Sequence, residues 1–454
     1  MKTIKNSINK GNNYTKKNGR KTYNNFKNLD NFYRTLLKNN SALNNELVNI
    51  SKMSIMSRFL EYIYILLNNK QQLLRAINIE ASRRLETNKY VIKNKILSYS
   101  EHHFRENKYI DEGIIKYIIT NIHNCKIVSY ENIIDSKKYV FEFIIYGREI
   151  GIKKLDSIVE KMLLIVQVII ALSNNESRQG QHVTVFLTPF KKRLDINSSI
   201  ILGAKNANSG FTYTNQANSA IIIYRKEEFF KVFIHESIHY YGVDKALHEP
   251  LTDPSYYNKF INLFNIANKD FITIGLNESI TEFWAFIMLL CIISYDTSIK
   301  LNNFIDKFEN YYNIELVHII FQVVKILNYN NLTYTQLFSK TNSKYRETTH
   351  IFSYYIIKTM LVYNHAHMFR SNIFDINLLK LENRINICLK DDNNSINNLF
   401  INLLKYASDP KFIKLINTIY IIFKNIENNN TKQPRHTRNN LLTNLLMMSY
   451  DYNI

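Results

Sequence analysis

The segment 229–242 constrains this chain more than any other, because it sets two histidines four residues apart within an apolar stretch. If the segment is helical, His235 and His239 share a face, since a helix brings residues i and i+4 side by side. Two imidazoles on one face can bind a metal ion, and Glu236 beside them can accept a proton from water on that ion. The segment therefore predicts a metal-binding helix that ends near Gly242. A core helix with two locally hydrogen-bonded histidines is the alternative.

A third ligand is needed, because a catalytic zinc ion usually has three protein ligands and one open position. The segment 275–285 predicts a second buried helix, with Gly275 and Asn277 at its start. Glu278 and Glu282 share one face of it, and two acids on an apolar helix are costly to bury unless positive charge compensates them. Glu278 is the candidate metal ligand and Glu282 the candidate to orient a ligating histidine. A solvated acidic edge is the alternative.

Together the two segments resemble the gluzincin zinc metallopeptidases, the thermolysin-like and aminopeptidase-like group. Those proteins carry His-Glu-x-x-His on one helix and Asn-Glu-x-x-x-acid on the next, and the resemblance is specific only over these two motifs within about residues 182–290. It implies one Zn²⁺ per chain bound by His235, His239 and Glu278, with Glu236 as general base and Glu282 as the orienting carboxylate. In overall character the Asn-rich, Gly-poor chain also looks like the metallopeptidases inferred in large DNA viruses.

The metzincin motif also begins with His-Glu-x-x-His, but it places the third ligand at a different position. Gly242 falls where metzincins place the glycine of His-Glu-x-x-His-x-x-Gly-x-x-His. Their third ligand would be Lys245, and an ammonium group is a poor zinc ligand. Asp244 and His248 are out of register for that motif. Glu278 is therefore the preferred third ligand.

The gluzincin resemblance also implies substrate-binding and oxyanion-stabilising groups. Gluzincins hold the substrate backbone on an exposed edge strand, and Ser209, Gly210 and Phe211 stand in the corresponding place. An ordinary turn of Asn, Ser and Gly is the alternative. Gluzincins use a Tyr or His from the C-terminal helical domain to stabilise the oxyanion. His350 and Tyr354 are the candidates, since they share a face if their segment is helical.

Patterning outside the motifs predicts an α+β fold that is predominantly helical. Runs of β-branched and aromatic residues predict strands over 139–146, 182–187 and 220–224, with a long helix over 152–173. That order suits a small mixed sheet beside the zincin-type active-site helix. Helical spacing of apolar residues from 304 to 423 predicts a helical C-terminal half.

The expected organisation has five parts. They are a disordered basic arm, a helical region that is a scaffold or a pro-segment, an α+β subdomain with the substrate-edge strand, a helical part with the metal-binding helices, and a polar tail. The boundaries are residues 1–28, 29–124, 125–234, 235–424 and 425–454.

The charge balance suggests a rival function. Against 38 Asp and Glu the chain carries 58 Lys and Arg, a formal charge of +20. This excess favours polyanion partners, with nucleic acid bound through the basic arm, although lysines that only solubilise a helical surface give the same total. A basic structural or nucleic-acid-associated protein, of a virion for example, that retains a zincin fold is therefore the alternative to a peptidase. A purely structural zinc site is a third reading.

Location is inferred from cysteines and apolar runs. Cys125, Cys291 and Cys388 are far apart and odd in number, which predicts no disulfide framework and a reducing compartment. The N-terminus lacks the apolar core of a signal peptide. The longest apolar runs, 162–172 and 285–293, are shorter than the about 20 residues of a spanning helix. We therefore expect an intracellular protein, cytoplasmic or virion-associated, without a transmembrane segment, that acts on a peptide or protein.

Overall fold

The computed structural model describes most of the chain from residue 25 onward. The longer described ranges are 25–51, 54–105, 107–147, 150–173, 180–195, 201–212, 220–247, 275–298, 300–339, 345–370, 385–388, 393–430 and 440–452. Isolated described positions are 258, 262–264, 374 and 390. The predicted basic arm lies outside the described residues up to position 24, and helix begins at Asn25.

Among the described residues, six strands form one mixed sheet. They are β1 (Arg83–Glu86), β2 (Cys125–Ile134), β3 (Lys137–Tyr146), β4 (His182–Phe186), β5 (Gly210–Thr212) and β6 (Ala220–Ile223). Their spatial order is β1-β2-β3-β4-β6-β5. Strands β3, β4 and β6 run parallel, and β1, β2 and β5 pair antiparallel with their neighbours. Strand β5 therefore lies at one edge of the sheet.

The β2–β3 hairpin sets the register of this sheet. Its two-residue turn places Asp135 and Ser136 at φ 48° and 62°, as a type I′ turn requires, and that turn matches the twist of the flanking strands. The following parallel connection to β4 is made by a long helix, because parallel strands need a crossover. The predicted helix over 152–173 is this crossover.

Helices cover both faces of the sheet and build the rest of the described chain. Those of six or more residues are α1 (Asn25–Asn39), α2 (Ser41–Ser51), α3 (Ser54–Leu74), α4 (Lys89–Tyr99), α5 (Glu112–Thr120), α6 (Ile152–Leu172), α7 (Phe229–Tyr240), α8 (Leu276–Asp296), α9 (Leu301–Tyr329), α10 (Lys358–Tyr363), α11 (His365–Arg370), α12 (Asn393–Ala407) and α13 (Pro410–Asn430). Shorter helical pieces are Ile79–Ser82, Ser100–Phe104, Ile122–Asn124, Ala204–Ala207, Lys245–Leu247, Thr335–Phe338 and Asn440–Thr443, and a six-residue π-helix spans Phe352–Ile357.

Alternate side chains of the central strands pack into two separate hydrophobic cores. Phe143 and Ile223 pack into the main core with α6, α7, α8 and α9, whereas their neighbours Ile144 and Ile222 pack into a second core with α4 and α5. This division follows from the pleat, since successive side chains of a strand point to opposite faces. Helices α7 and α8, which carry the two sequence motifs, lie in the main core.

Helix α8 is the central helix of the main core. By length and composition it is the one described helix that could cross a bilayer. The apolar run 285–293 is too short to indicate this, because the helix extends beyond the run at both ends. In the folded chain 83% of its most apolar window is buried. Trp284 is fully buried against Phe59, Phe369 and Phe374. The helix therefore packs as a core helix of this fold.

The predicted α+β, predominantly helical fold is confirmed, and the three predicted strands agree with β3, β4 and β6 to within two residues. Two expectations about organisation are wrong. The region 29–124 is not wholly helical, because β1 (Arg83–Glu86) extends the sheet by pairing with β2. The segment carries two arginines and no β-branched residue, so its strand conformation depends on that partner.

The predicted polar tail, 425–454, is the second error. Helix α13 continues to Asn430, residues 431–439 lie outside the described part, and residues 440–452 form a segment that we call the C-terminal strap. Leu445, Met448 and Ser449 of the strap are fully buried. The polar stretch 431–439 suggested a tail, but the apolar residues after it bury their surface in the main core.

Candidate metal centre

Helix α7 is fully buried, and a glycine ends it at its C-terminus. All of its residues are buried. After the helix, the Gly242 N–H donates to the carbonyl of His239 (2.9 Å), and the Val243 N–H donates to that of Ile238 (3.2 Å). This Schellman arrangement needs a left-handed residue, and Gly242 has φ 69°. The sequence prediction that the helix ends at this glycine is confirmed.

Three side-chain atoms converge beside this helix. The Nε2 atoms of His235 and His239 are 3.1 Å apart, and Oε2 of Glu278 lies 3.3 Å and 3.4 Å from them respectively. A tetrahedral zinc ion with bonds of about 2.0–2.2 Å separates its ligand atoms by about 3.3–3.5 Å. Both separations from Glu278 match this range and the separation of the two nitrogens is slightly shorter, so the triangle is close to the size of three zinc ligands. These three residues form the metal-ligand group identified among the described residues.

The tautomers of both histidines favour a cation in this triangle. Nδ1 of His235 lies 2.8 Å from Oε1 of Glu282, and Nδ1 of His239 lies 2.7 Å from Oδ2 of Asp244. At His239 this is a hydrogen bond, and at His235 it is an ion-pair contact; a carboxylate in either position favours the ring proton on Nδ1 and the lone pair on Nε2. Two nitrogen lone pairs and a carboxylate oxygen then face one another, an arrangement that repels itself unless a positive ion lies between them. The donor set fits zinc.

The pKa shifts of these residues also indicate that the site favours positive charge. Burial opposes a charge on His239, but the carboxylates of Asp244 and Glu278 outweigh it and raise the pKa of His239 well above its ordinary value. Burial also opposes ionisation of Glu278, yet His239 and His235 lower its pKa well below the usual range. The centre therefore combines an ionised carboxylate with imidazoles that favour a bound cation.

Glu282 lies where the sequence predicts it, next to His235, and its surroundings explain how it is buried. It is 1% exposed, forms a short ion pair with Lys231 and lies 3.7 Å from Nζ of Lys358. Burial disfavours its charge, but Lys231 and His235 lower the pKa of Glu282 well below its ordinary value. Sequence reasoning missed both lysines. Lys231 precedes His235 by one helical turn, and this spacing could have indicated that the lysine lies on the same helix face as the histidine.

Asp244 is the other residue that sequence reasoning missed. It was considered only as a ligand in the metzincin register, whereas in the structure it is fully buried and contacts the far side of the His239 ring. The chain reversal at Gly242 brings it back to the helix. A carboxylate shortly after the helix-ending glycine was therefore the signal that could have identified it.

Glu236 faces the edge of the sheet. A Cβ atom added at Gly210 would lie 3.4 Å from Oε1 of Glu236 and 2.8 Å from Cγ1 of Val232, so β5 approaches α7 closely at this glycine. Burial raises the pKa of Glu236, and the nearby imidazoles of His235 and His239 only partly offset this. A carboxylate with a raised pKa is a better proton acceptor near neutral pH than an ordinary one.

Strand β5 has one strand neighbour in the described sheet, β6, and its register decides which groups face outward. The carbonyl of Ser209 accepts from the Tyr224 N–H (2.9 Å), and Phe211 lies opposite Ile222. Because hydrogen-bonded pairs alternate in an antiparallel ladder, Ser209 and Phe211 bond to β6, while the main-chain groups of Gly210 point away from it. The Phe211 ring is buried in the second core. Of the three predicted substrate-binding residues, Gly210 is the one whose main-chain groups point away from β6.

The structure brings both predicted oxyanion candidates to the centre. Tyr354 lies in a π-helical turn, Phe352–Ile357, with its ring centroid 6.0 Å from that of His235 and 6.0 Å from that of His350. His350 contributes to the lowered pKa of Glu278. Burial, with Glu278 and Glu236 nearby, raises the pKa of Tyr354 well above its ordinary value, so its phenol remains a hydrogen-bond donor.

The turn that carries Tyr354 is anchored on both sides. Oε2 of Glu347 accepts from the Phe352 N–H (2.6 Å) and from the Tyr345 hydroxyl (2.7 Å). The N–H of Gly275 donates to Oγ of Ser353 (3.1 Å). A Cβ at Gly275 would lie 2.9 Å from Cγ of Glu278 and 3.2 Å from Nδ1 of His350, so a glycine is needed for this close approach.

No protein-family model, curated protein or solved structure matches this chain. The two motifs and the geometry of the residues that they bring together are therefore what indicates a function for this chain.

Proposed function

We propose that this chain is a zinc-dependent peptidase, a hydrolase that cleaves peptide bonds with a metal-activated water. The observation that carries the proposal is the triangle of His235, His239 and Glu278, whose lone pairs converge at zinc-ligand spacing while carboxylates occupy the far side of both imidazoles. A structural zinc site usually has four protein ligands. This triangle has three, with Glu236 beside it, which favours catalysis over a structural role.

A zinc ion bound here would supply Lewis acidity and lower the pKa of its water towards neutrality. Glu236 accepts the proton of the attacking water and returns it to the leaving amine. Tyr354 and His350 donate towards the oxygen on which negative charge develops. Glu282 and Asp244 hold the two histidine rings in the tautomer that leaves Nε2 unprotonated.

The adjoining sheet edge favours a peptide as substrate. The outward main-chain groups of Gly210 lie beside the carboxylate of Glu236, so an extended chain added to β5 would pass next to the proposed base. Strand addition uses main-chain hydrogen bonds and therefore suits a polypeptide substrate. The proposal thus joins a hydrolytic centre to a peptide-binding edge.

The first experiment is the zinc content of purified wild-type protein and of a Glu278→Ala variant, measured by elemental mass spectrometry. We expect about one zinc per wild-type chain and a strong loss in the variant, since three protein ligands become two. No zinc in metal-replete wild type would contradict the peptidase proposal. In that case salt-sensitive binding to DNA would support the basic structural or nucleic-acid-associated alternative that the charge of +20 suggests.

The second experiment separates binding from chemistry. Glu236→Gln is expected to retain zinc while peptide turnover falls by about 10²–10⁴, the usual contribution of a general base. Glu131→Gln, an exposed change on β2, is the matched control and should keep full turnover. Full turnover in Glu236→Gln would remove Glu236 from the mechanism.

A further inference from the structure

The C-terminal strap, residues 440–452, is held inside the main core by buried side chains of α9. Lys325, 1% exposed, donates to the carbonyl of Leu441 (3.0 Å) and to Oδ1 of Asn444 (3.2 Å). The carboxylate of Glu315 accepts from the N–H and Oγ of Ser449 at 2.7 Å and 2.6 Å. Buried polar groups left without partners are costly, so these contacts fix the segment against α9.

The middle of the strap contacts two lysines of the metal centre. Lys231 donates to Sδ of Met447 (3.0 Å), and Lys358 donates to the carbonyl of the same residue (3.0 Å). Both ammonium groups also approach Glu282, Lys231 in a short ion pair and Lys358 at 3.7 Å. Met447 therefore closes a buried cluster around the carboxylate that contacts His235 at 2.8 Å.

The strap is also fixed to the N-terminal end of α7, the helix that carries both histidines, through Lys231 in its first turn and Glu228 just before it. The Lys231 N–H donates to Oδ1 of Asp451 (3.2 Å), and Oε1 of Glu228 accepts from the Met448 N–H (2.9 Å). Helix N-termini have backbone N–H groups without helical partners, and here a strap side chain supplies one of the acceptors. Two independent sets of contacts thus join the strap to the metal-binding helix.

We propose that the C-terminal strap is a positioning element of the metal centre, which holds Lys231 and Lys358 against Glu282 and so keeps His235 oriented towards the ion. This inference rests on the proposed zinc site. Without the strap, water reaches the two ammonium groups and the carboxylate, and their attraction weakens as the local dielectric rises. Loss of an outer partner of a metal ligand typically lowers metal affinity about 10–100-fold. Because the strap acts one contact further out, we expect a loss of about tenfold.

The test compares the full chain with a chain that ends at residue 439, with and without a synthetic peptide of residues 440–454. Zinc affinity is measured by competition with a chromophoric chelator, and circular dichroism reports folding. We expect the shortened chain to bind zinc about tenfold more weakly, and the added peptide to restore affinity to within about twofold. Zinc affinity equal to that of the full chain in a folded shortened chain would overturn the inference.

A full-length variant covers the case in which the shortened chain does not fold. Lys325→Met loosens the strap at a point that touches neither Glu282 nor a metal ligand. Ile96→Ala is the matched control, because it opens a cavity in the second core on the other face of the sheet. We expect zinc affinity to fall about three- to tenfold in Lys325→Met only, and the visible spectrum of the cobalt(II) form, which reports ligand geometry, to change with it.

The outcomes separate the two proposals. Suppose that the wild type binds zinc and that Lys325→Met has the same zinc affinity and the same cobalt spectrum as the wild type. This result overturns the role of the strap and leaves the peptidase proposal intact. Equal affinity losses in Lys325→Met and Ile96→Ala have the same meaning, because general destabilisation would then explain both. Absence of zinc from wild type overturns the peptidase proposal and, with it, this inference.

Discussion

Replacement of Glu282 by glutamine is the most informative single change at this centre. The side chain is 1% exposed, and it contacts His235 at 2.8 Å as well as Lys231 and Lys358. Glutamine keeps the shape and removes only the charge. Glu282→Gln therefore tests electrostatics rather than packing.

Two effects with separate magnitudes are expected. Two buried ammonium groups lose their shared counter-charge, and removal of one partner from a buried ion pair costs about 3–5 kcal/mol of unfolding free energy. His235 also loses the carboxylate that holds its proton on Nδ1, which should weaken zinc binding about 10–100-fold, or about 1.4–2.7 kcal/mol. The first effect appears in metal-free protein, and the second appears only in zinc affinity.

The assay is urea denaturation of metal-free protein together with chelator competition for zinc. The double variant Lys231→Met/Glu282→Gln should recover part of the lost stability, because it removes one of the unpaired ammonium groups. Glu131→Gln, which alters an exposed ion pair with Lys138, is the control and should leave both measurements unchanged. If Glu282→Gln keeps both its stability and its zinc affinity, the charge cluster does not support the metal centre.

Three further changes test the surrounding groups. Tyr354→Phe should lower kcat about 10²–10³-fold with KM nearly constant, as expected for a donor to developing charge; a change confined to KM would contradict that role. Asp244→Asn should weaken zinc binding about tenfold in chelator competition, because Asp244 orients the ring of His239, and unchanged affinity would exclude this. Burial raises the pKa of Glu347 from 4.5 to about 8, so the folded state binds more protons than the unfolded state between those values, and stability falls as pH rises through them. Glu347→Gln should remove up to about 4 kcal/mol of that loss, measured as the difference in urea stability between pH 5 and pH 8.5; an unchanged pH profile would contradict it.

Local periodicity was sufficient to predict the parts of the centre that share a helix. The four-residue spacing places His235 beside His239 and Glu278 beside Glu282 whatever the rest of the chain does. The strands over 139–146 and 220–224 were also predictable, because runs of Ile, Val, Phe and Tyr suit buried parallel strands. By contrast β1, with two arginines among its four residues, carries no such local signal.

The sequence by itself determined that two helices would each place a pair of candidate site residues on one face, since helical geometry fixes which neighbours share that face. Only the tertiary structure decided what surrounds those faces. Lys231 meets Glu282 across 51 residues and Met447 across 216, and no periodic pattern relates such distant positions. A lysine looks the same in sequence whether it is solvated or buried against a carboxylate. Its role depends on the desolvation that folding imposes and on the counter-charge that folding brings to it.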